Sequence, residues 1–146
     1  MNKDIINKNP MFSGYASVFN VVDQHNDIVA PGAFKKTLAN NKPENIKLLW
    51  QHNHDYPIGK IIKITEDKKG LKIEAELILA VKKASEAFAL ISNKAICGLS
   101  IGFNVVKAVK NRKTKTRIIT EIDLLEISLV TFPANKESQV MTIKSI

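Results

Sequence analysis

Residues 118–131 have the sequence IITEIDLLEISLVT, and this stretch decides the fold class that we expect. Its second half, residues 124–130, is apolar apart from Glu126 and Ser128. Pro133-Ala134-Asn135 follows directly and interrupts any regular structure. The pattern predicts one long strand whose end lies in the core.

Working outward, five more segments have strand patterns, and these are residues 11–19, 46–51, 58–65, 71–79 and 96–106. A helix is predicted over 82–92, because Ala84, Ala87, Phe88 and Ile91 recur at helical spacing. A shorter helix is predicted over 33–39, a polar loop over 20–28, a polar break over 52–56 and a basic turn over 111–116. About seven strands, mostly in hairpins, predict a β-rich α+β fold. We expect a small antiparallel β-barrel with flanking helices.

Length and composition limit the possible classes of protein. The chain has 146 residues, so we expect a single domain over 1–146. A doubly wound hydrolase or an eight-fold α/β barrel needs about 200–250 residues and is excluded. Cys97 is the only cysteine, which excludes an internal disulfide and a four-cysteine zinc site. Because residues 1–10 are polar and no apolar stretch approaches about 18 residues, we expect neither a signal peptide nor a membrane span.

The sequence Gly98-Leu99-Ser100-Ile101-Gly102 matches the Gly-x-Ser-x-Gly pattern of hydrolases. In an α/β-hydrolase this serine precedes a helix and a catalytic histidine follows later in the chain. Here a strand continues after the motif, and all three histidines lie within the first 54 residues. The nucleophile elbow is therefore excluded, but a triad in which the histidine precedes the serine remains possible.

Two other residues could complete such a triad. His52 follows the apolar strand 46–51, a position that combines rigidity with access. Glu126 lies in the otherwise nearly apolar run of residues 124–130, where an unpaired buried charge would cost several kcal/mol. Each also has an ordinary interpretation: Ser100 could be bonded to backbone, His52 could be a surface residue and Glu126 could point to solvent. Ser128 shares the face of Glu126 and could be the reactive hydroxyl instead of Ser100.

Two interpretations from other functional classes stay open. His52 and His54, with a carboxylate such as Asp55, could form the metal site of a hydrolase, although a His-x-His pair is a weak signal. Asp23, His25 and Asp27 superficially suggest a metal loop, but no spaced ligand set completes it.

The second of these interpretations is a basic β-barrel without catalytic activity that binds scaffold protein or nucleic acid. The net charge is +8, and six cations cluster without an acid between them: Lys107, Lys110, Arg112, Lys113, Lys115 and Arg117. A solvated hairpin end explains them most simply. The lack of aromatic residues there argues against binding of single-stranded nucleic acid.

Five segments, in this order, resemble the prohead (capsid maturation) protease family of tailed phages, which is similar in fold to the herpesvirus assemblin proteases. They are Gly14-Tyr15-Ala16-Ser17-Val18-Phe19-Asn20; Asp27-Ile28-Val29 with Pro31-Gly32-Ala33-Phe34; Leu49-Trp50-Gln51-His52 with Pro57-Ile58-Gly59; Gly98-Leu99-Ser100-Ile101-Gly102-Phe103; and Leu125-Glu126-Ile127-Ser128-Leu129-Val130 with Pro133-Ala134-Asn135. The resemblance implies a family core over about residues 11–135 with tails at both ends.

The resemblance implies a serine endopeptidase in which Ser100 is the nucleophile, His52 the general base and acid, and Glu126 the group that orients the imidazole. The herpesvirus relatives use a second histidine in place of this glutamate. His54, two residues from His52, departs from the family pattern and could compete as the base. No metal or other cofactor is implied.

The implied substrates are the scaffold, or the scaffold-like region of the major capsid protein, and possibly the protease itself. The family also implies a homodimer or higher assembly, inside the immature head in the cytoplasm of the host bacterium. Neither a membrane nor a nucleic acid is implied as a partner. The chain is short for this family.

Overall fold

The computed structural model describes residues 8–144, which form one curved mixed sheet with two helices packed against it. Eight strands are present in these residues: β1 (Met11–Val18), β2 (Asp27–Val29), β3 (Lys47–Trp50), β4 (Asn53–Glu66), β5 (Gly70–Leu77), β6 (Gly98–Asn111), β7 (Thr116–Val130) and β8 (Val140–Lys144). The helices are α1 (Lys35–Asn40) and α2 (Lys82–Ser92), and a 3-10 turn covers Pro43–Asn45. Within 8–144 no helix has both the length and the apolar character needed to cross a bilayer.

The long strand β7 organises the sheet. The strand order is β2-β7-β3-β4-β5-β1-β8, and β6 pairs with the other edge of β7. β6 and β7 form an antiparallel hairpin along their whole length, whereas β2 and β3 pair with successive parts of β7 in parallel. The apolar end of β7 therefore has a paired strand at each edge, and the consecutive residues 127–130 are buried, so both faces of the sheet are covered there.

The predicted closed antiparallel barrel is not confirmed. Two of the pairings are parallel, because the connections after β2 and β3 return the chain to β7 in the same direction. Between β6 and β8 there is only an isolated bridge, Gly98 to Gln139, with hydrogen bonds from Leu99 N to Ser138 O (2.8 Å) and from Val140 N to Cys97 O (2.8 Å). The β-rich architecture with few helices is as expected.

The helix predicted over 82–92 is confirmed, and it buries Ala84, Ala87 and Ile91. The predicted loop over 20–28 is wrong at its end, where β2 begins at Asp27. The predicted break over 52–56 is also wrong, because β4 already begins at Asn53. All of residues 53–56 are exposed, so this part of the strand has no alternation of apolar and polar residues to reveal it. β8 was not predicted either, and it pairs with β1.

Gly14 occupies the crowded junction of β1, β6 and β8. A Cβ at this position would lie 2.3 Å from the carbonyl oxygen of Gln139 and 3.0 Å from both the Leu99 side chain and Val140 Cα. The nearest atoms are backbone and cannot turn away. The glycine therefore allows β8 to approach β1 beside the bridge to β6.

We expect Gly14→Ala to lower the free energy of unfolding by about 2–4 kcal/mol, since β8 must move to relieve the clash. Chemical denaturation monitored by circular dichroism measures the change. Ser13→Ala in the same strand is the control. It removes only an exposed hydrogen bond to Thr142 and should cost less than about 1 kcal/mol. Equal stabilities of wild type and Gly14→Ala would contradict the close approach of the strands.

Candidate active site

His52 is presented by a strained turn at the end of β3. Gln51 and His52 both have left-handed backbone conformations, with φ of +52° and +56°. A non-glycine residue in this region costs about 1–2 kcal/mol, so the turn needs support from its surroundings. The Gln51 amide supplies this support by donating to Thr131 Oγ1 (2.6 Å) and accepting from Thr131 N (3.1 Å). The imidazole is thus held at the apolar end of β7 while its side chain stays 42% exposed.

Glu126 provides the buried partner of His52. The residue is only 6% exposed, and its Oε1 contacts Nδ1 of the imidazole. Its Oε2 accepts a 2.6 Å hydrogen bond from the Ser128 hydroxyl. Both carboxylate oxygens therefore have a polar partner, and these contacts offset the cost of burying the Glu126 charge in an apolar strand. With Nδ1 facing a carboxylate, the neutral imidazole keeps its proton on that nitrogen, and Nε2 becomes the proton acceptor.

Gly102 makes room for this carboxylate. Gly102 and Glu126 are direct partners in the β6–β7 ladder, so their side positions lie on the same face of the sheet. A Cβ on Gly102 would come within 2.1 Å of Glu126 Oε1. The second glycine of the Gly-x-Ser-x-Gly sequence therefore leaves space for the Glu126 carboxylate of the neighbouring strand and is not part of a turn.

Ser128 connects the acid to the histidine backbone. Its hydroxyl donates to Glu126 and accepts from His52 N at 3.0 Å, and the residue is fully buried. With its proton bonded to the carboxylate and no solvent exposure, this hydroxyl is unsuited to attack a substrate. The alternative role considered for Ser128 therefore lacks structural support.

Ser100 is the accessible serine on the same face. It pairs directly with Ser128 in the ladder and is half-buried. Ser100 and His52 both line a cleft of about 370 Å³. Within residues 8–144 no hydrogen bond joins the Ser100 hydroxyl to His52. Such contacts are often long without substrate and shorten in the Michaelis complex.

The loop before β2 forms one wall of the cleft. Asp23, His25 and Asp27 line it, together with Thr131 and Phe132, the latter being 83% exposed. Asp27 is buried and receives two 2.8 Å hydrogen bonds from the Arg117 guanidinium. This bonding raises the pKa of Arg117 and fixes the loop to β7. Two members of the basic cluster predicted by sequence are thus paired with acids: Arg117 binds Asp27, and Lys107 Nζ lies 3.8 Å from Glu121 Oε1.

The structure places His54 apart from these contacts. It lies on β4 and, with Leu125 and Phe103, lines a second groove that His52 and Glu126 also line. Across residues 8–144 no group of three or more His, Cys, Asp or Glu side chains is placed to hold a metal ion. The alternative metal site of His52, His54 and a carboxylate therefore has no support from the described residues.

Sequence reasoning missed the supporting residues of this site. The Gln51–Thr131 clamp and the bridge through Ser128 join residues about eighty positions apart, so no local pattern shows them. The role of residues 20–27 in the cleft was also missed, because the sequence predicted only a polar loop there. One signal was available: a glycine directly opposite a buried glutamate indicates a side chain that crosses between strands.

Three groups of known proteins are similar to this chain. A family model described as "Caudovirus prohead serine protease" matches residues 1–146. The prohead protease of Enterobacteria phage HK97 is 37% identical over 141 residues, covering 95% of this chain and 62% of that protein. The prohead protease of Escherichia phage T5 is 34% identical over 125 residues, covering 85% and 59%. The chain thus spans roughly 60% of the length of these two relatives.

Solved structures show the same fold at low identity. The KSHV protease in complex with a hexapeptide phosphonate inhibitor has a TM-score of 0.64 at 10% identity, covering 95% of this chain and 66% of that one. The bacteriophage T4 capsid assembly protease also has a TM-score of 0.64, at 12% identity, covering 82% and 81%. The varicella-zoster virus protease has a TM-score of 0.60 at 13% identity, covering 94% and 64%. The expected likeness to the herpesvirus protease fold is confirmed.

The contact with Glu126 makes a prediction about the tautomer of His52. Nitrogen chemical shifts of the neutral imidazole should report a proton on Nδ1, and in Glu126→Ala the Nε2-protonated form should gain population. His54, which does not touch Glu126, serves as the internal control and should keep its shifts. A wild-type His52 already protonated on Nε2 would show that the carboxylate does not orient the ring.

Proposed function

Because the chain belongs to the caudovirus prohead serine protease family, we propose that it is a serine endopeptidase that acts in phage head maturation. The observation that carries the proposal is the contact of a buried carboxylate with the imidazole in the cleft that holds Ser100. Its substrates are the scaffold or the scaffold-like region of the major capsid protein, and possibly the chain itself. A relative named capsid polyprotein, from Pseudomonas phage PAJU2, is 30% identical over 130 residues and supports this link to capsid protein.

The proposed mechanism is acyl transfer. Nε2 of His52 takes the proton of Ser100 as its Oγ attacks the peptide carbonyl, and the imidazolium then protonates the leaving amine. Water, activated by the same nitrogen, hydrolyses the acyl-enzyme. Glu126 stabilises the imidazolium and holds the tautomer, because it faces Nδ1. Along the chain the histidine comes first, the serine second and the acid third. No metal enters any step of the proposed mechanism.

The proposed setting is an assembly of two or more copies within the immature head, in the host cell. Activity gated by assembly is consistent with a half-buried nucleophile and an imidazole that is not yet hydrogen-bonded to it. The domain is proposed to be the whole of residues 1–146. Tests of activity therefore include a sample with capsid protein present.

A fluorophosphonate probe tests the nucleophile and the base. We expect it to label wild type and, more slowly, Ser128→Ala, because Ser128 only supports Glu126 and His52. Ser100→Ala should not be labelled, and His52→Ala should react about 10²–10⁴-fold more slowly, as expected on loss of a general base. Labelling of Ser100→Ala at Ser128 would overturn the assignment. Equal labelling of all variants, with unchanged capsid-protein processing by Ser100→Ala, would favour the non-catalytic basic protein.

Gly102→Ala tests the role of the carboxylate without touching the reacting groups. The three atoms nearest to the added methyl group all belong to the Glu126 side chain, so the fold should persist while the carboxylate leaves Nδ1. We expect cleavage of capsid protein, followed by gel and mass spectrometry, to slow by about 10²–10³-fold.

Val106→Ala, on the same strand and outside both clefts, is the matched control and should stay within about threefold of wild type, since its side chain is half exposed. Circular dichroism checks that both variants are folded. If Gly102→Ala is folded and cleaves at the wild-type rate, the contact of Glu126 with His52 Nδ1 is not needed for cleavage.

A further inference from the structure

The cleft beside Ser100 is acidic in a protein that is otherwise basic. The chain has 22 Lys and Arg residues against 14 Asp and Glu. None of the residues that line the cleft is Lys or Arg; its ionisable lining residues are Asp23, Asp27, His25 and His52. The wall of the proposed substrate site therefore has the charge opposite to that of the molecule as a whole.

Asp23 is the carboxylate in this wall to which no cation is bonded, although its charge, like that of Asp27, helps to raise the pKa of the Arg117 guanidinium. Asp27 is already neutralised by its two hydrogen bonds from Arg117. Asp23 Oδ1 accepts hydrogen bonds from His25 N (2.7 Å) and Asp27 N (3.0 Å), which shape the loop. In the described part of the chain Oδ2 makes no hydrogen bond and Asp23 forms no ion pair. One oxygen thus holds the loop, and the other, in the described residues, accepts no hydrogen bond from a protein cation.

The rest of the cleft suits the stem of a long side chain. Its lining includes the apolar residues Ala16, Val29, Leu99, Ile101 and Val130. Ser138 also lines it, is fully buried and has a hydroxyl without a hydrogen-bond partner. An aliphatic chain that ends in a cation would match both features, because its methylenes contact apolar walls while its head group meets acceptors.

We infer that Asp23 is a specificity-determining residue, and that the cleft takes a lysine or arginine side chain of the substrate next to the cleaved bond. This inference rests on the proposed proteolytic function, since it assigns a preference to that same site. Asp23 does not react. It attracts the cationic head group of the substrate, and this attraction stabilises the bound substrate and the transition state equally.

Cleavage-site mapping tests the inference. Wild type, with capsid protein present, digests a peptide library prepared with a protease that does not cut at Lys or Arg, and mass spectrometry identifies the cut bonds. We expect Lys and Arg to be enriched at one position beside these bonds, and the cut site in the capsid protein to have such a residue there. Replacing that residue by Gln should lower kcat/KM by about 5- to 30-fold, the range for a partly exposed ion pair.

Asp23→Asn is the decisive variant, because asparagine keeps the Oδ1 acceptor that shapes the loop and removes only the charge. It should cleave the Lys and Gln substrates at similar rates, because the charge that distinguishes them in wild type is gone. Asp55→Asn removes one negative charge from an exposed residue outside the cleft and should keep the wild-type preference.

The outcomes separate the two proposals. Cleavage without enrichment of Lys or Arg, a capsid cut site without either, or a preference that survives in Asp23→Asn would overturn the role of Asp23 and leave the proteolytic function standing. If wild type cuts neither library nor capsid protein and the fluorophosphonate does not label Ser100, the proteolytic function itself fails, and this inference fails with it.

Discussion

The pairing of a buried carboxylate with an exposed imidazole is the interaction on which the candidate site depends. Glu126 is a charged residue in an apolar strand, and burial of its charge without partners would cost several kcal/mol. Its oxygens contact the imidazole of His52 and the hydroxyl of Ser128. The same contacts that make the charge tolerable also fix the ring. Stability and orientation therefore depend on one side chain.

The sheet explains why these groups meet. β7 pairs in parallel with β3 on one edge and antiparallel with β6 on the other. His52 follows β3, Glu126 lies on β7 and Ser100 lies on β6, so three adjacent strands place one group each on a common surface. Rigid neighbours on both sides hold the carboxylate in place, as a preorganised site requires. The glycine at position 102 completes the arrangement by leaving the space that the carboxylate fills.

The loop of residues 20–27 adds a wall that the triad alone would lack. The paired charges of Asp27 and Arg117 anchor this wall to the start of β7, while the site lies at the other end of the same strand. One strand therefore pairs with the two strands that carry His52 and Ser100 and also anchors the loop that lines the cleft beside them. The proposed preference for a basic substrate residue follows from which carboxylate in the wall is already neutralised and which is not.

The sequence by itself determined the β-rich class and the helix over 82–92, and it indicated Ser100, His52 and Glu126 as candidate site residues. Alternation and helical spacing are local properties, and a charge inside an apolar run is visible without coordinates. Only the tertiary structure decided that the sheet is mixed, that residues 53–56 and 140–144 are strands, and that Ser128 is committed to the carboxylate while Ser100 is accessible. Strand direction, the partner of an exposed strand and the hydrogen bonds of a hydroxyl depend on residues far apart in the chain. No local pattern encodes contacts that only chain folding creates.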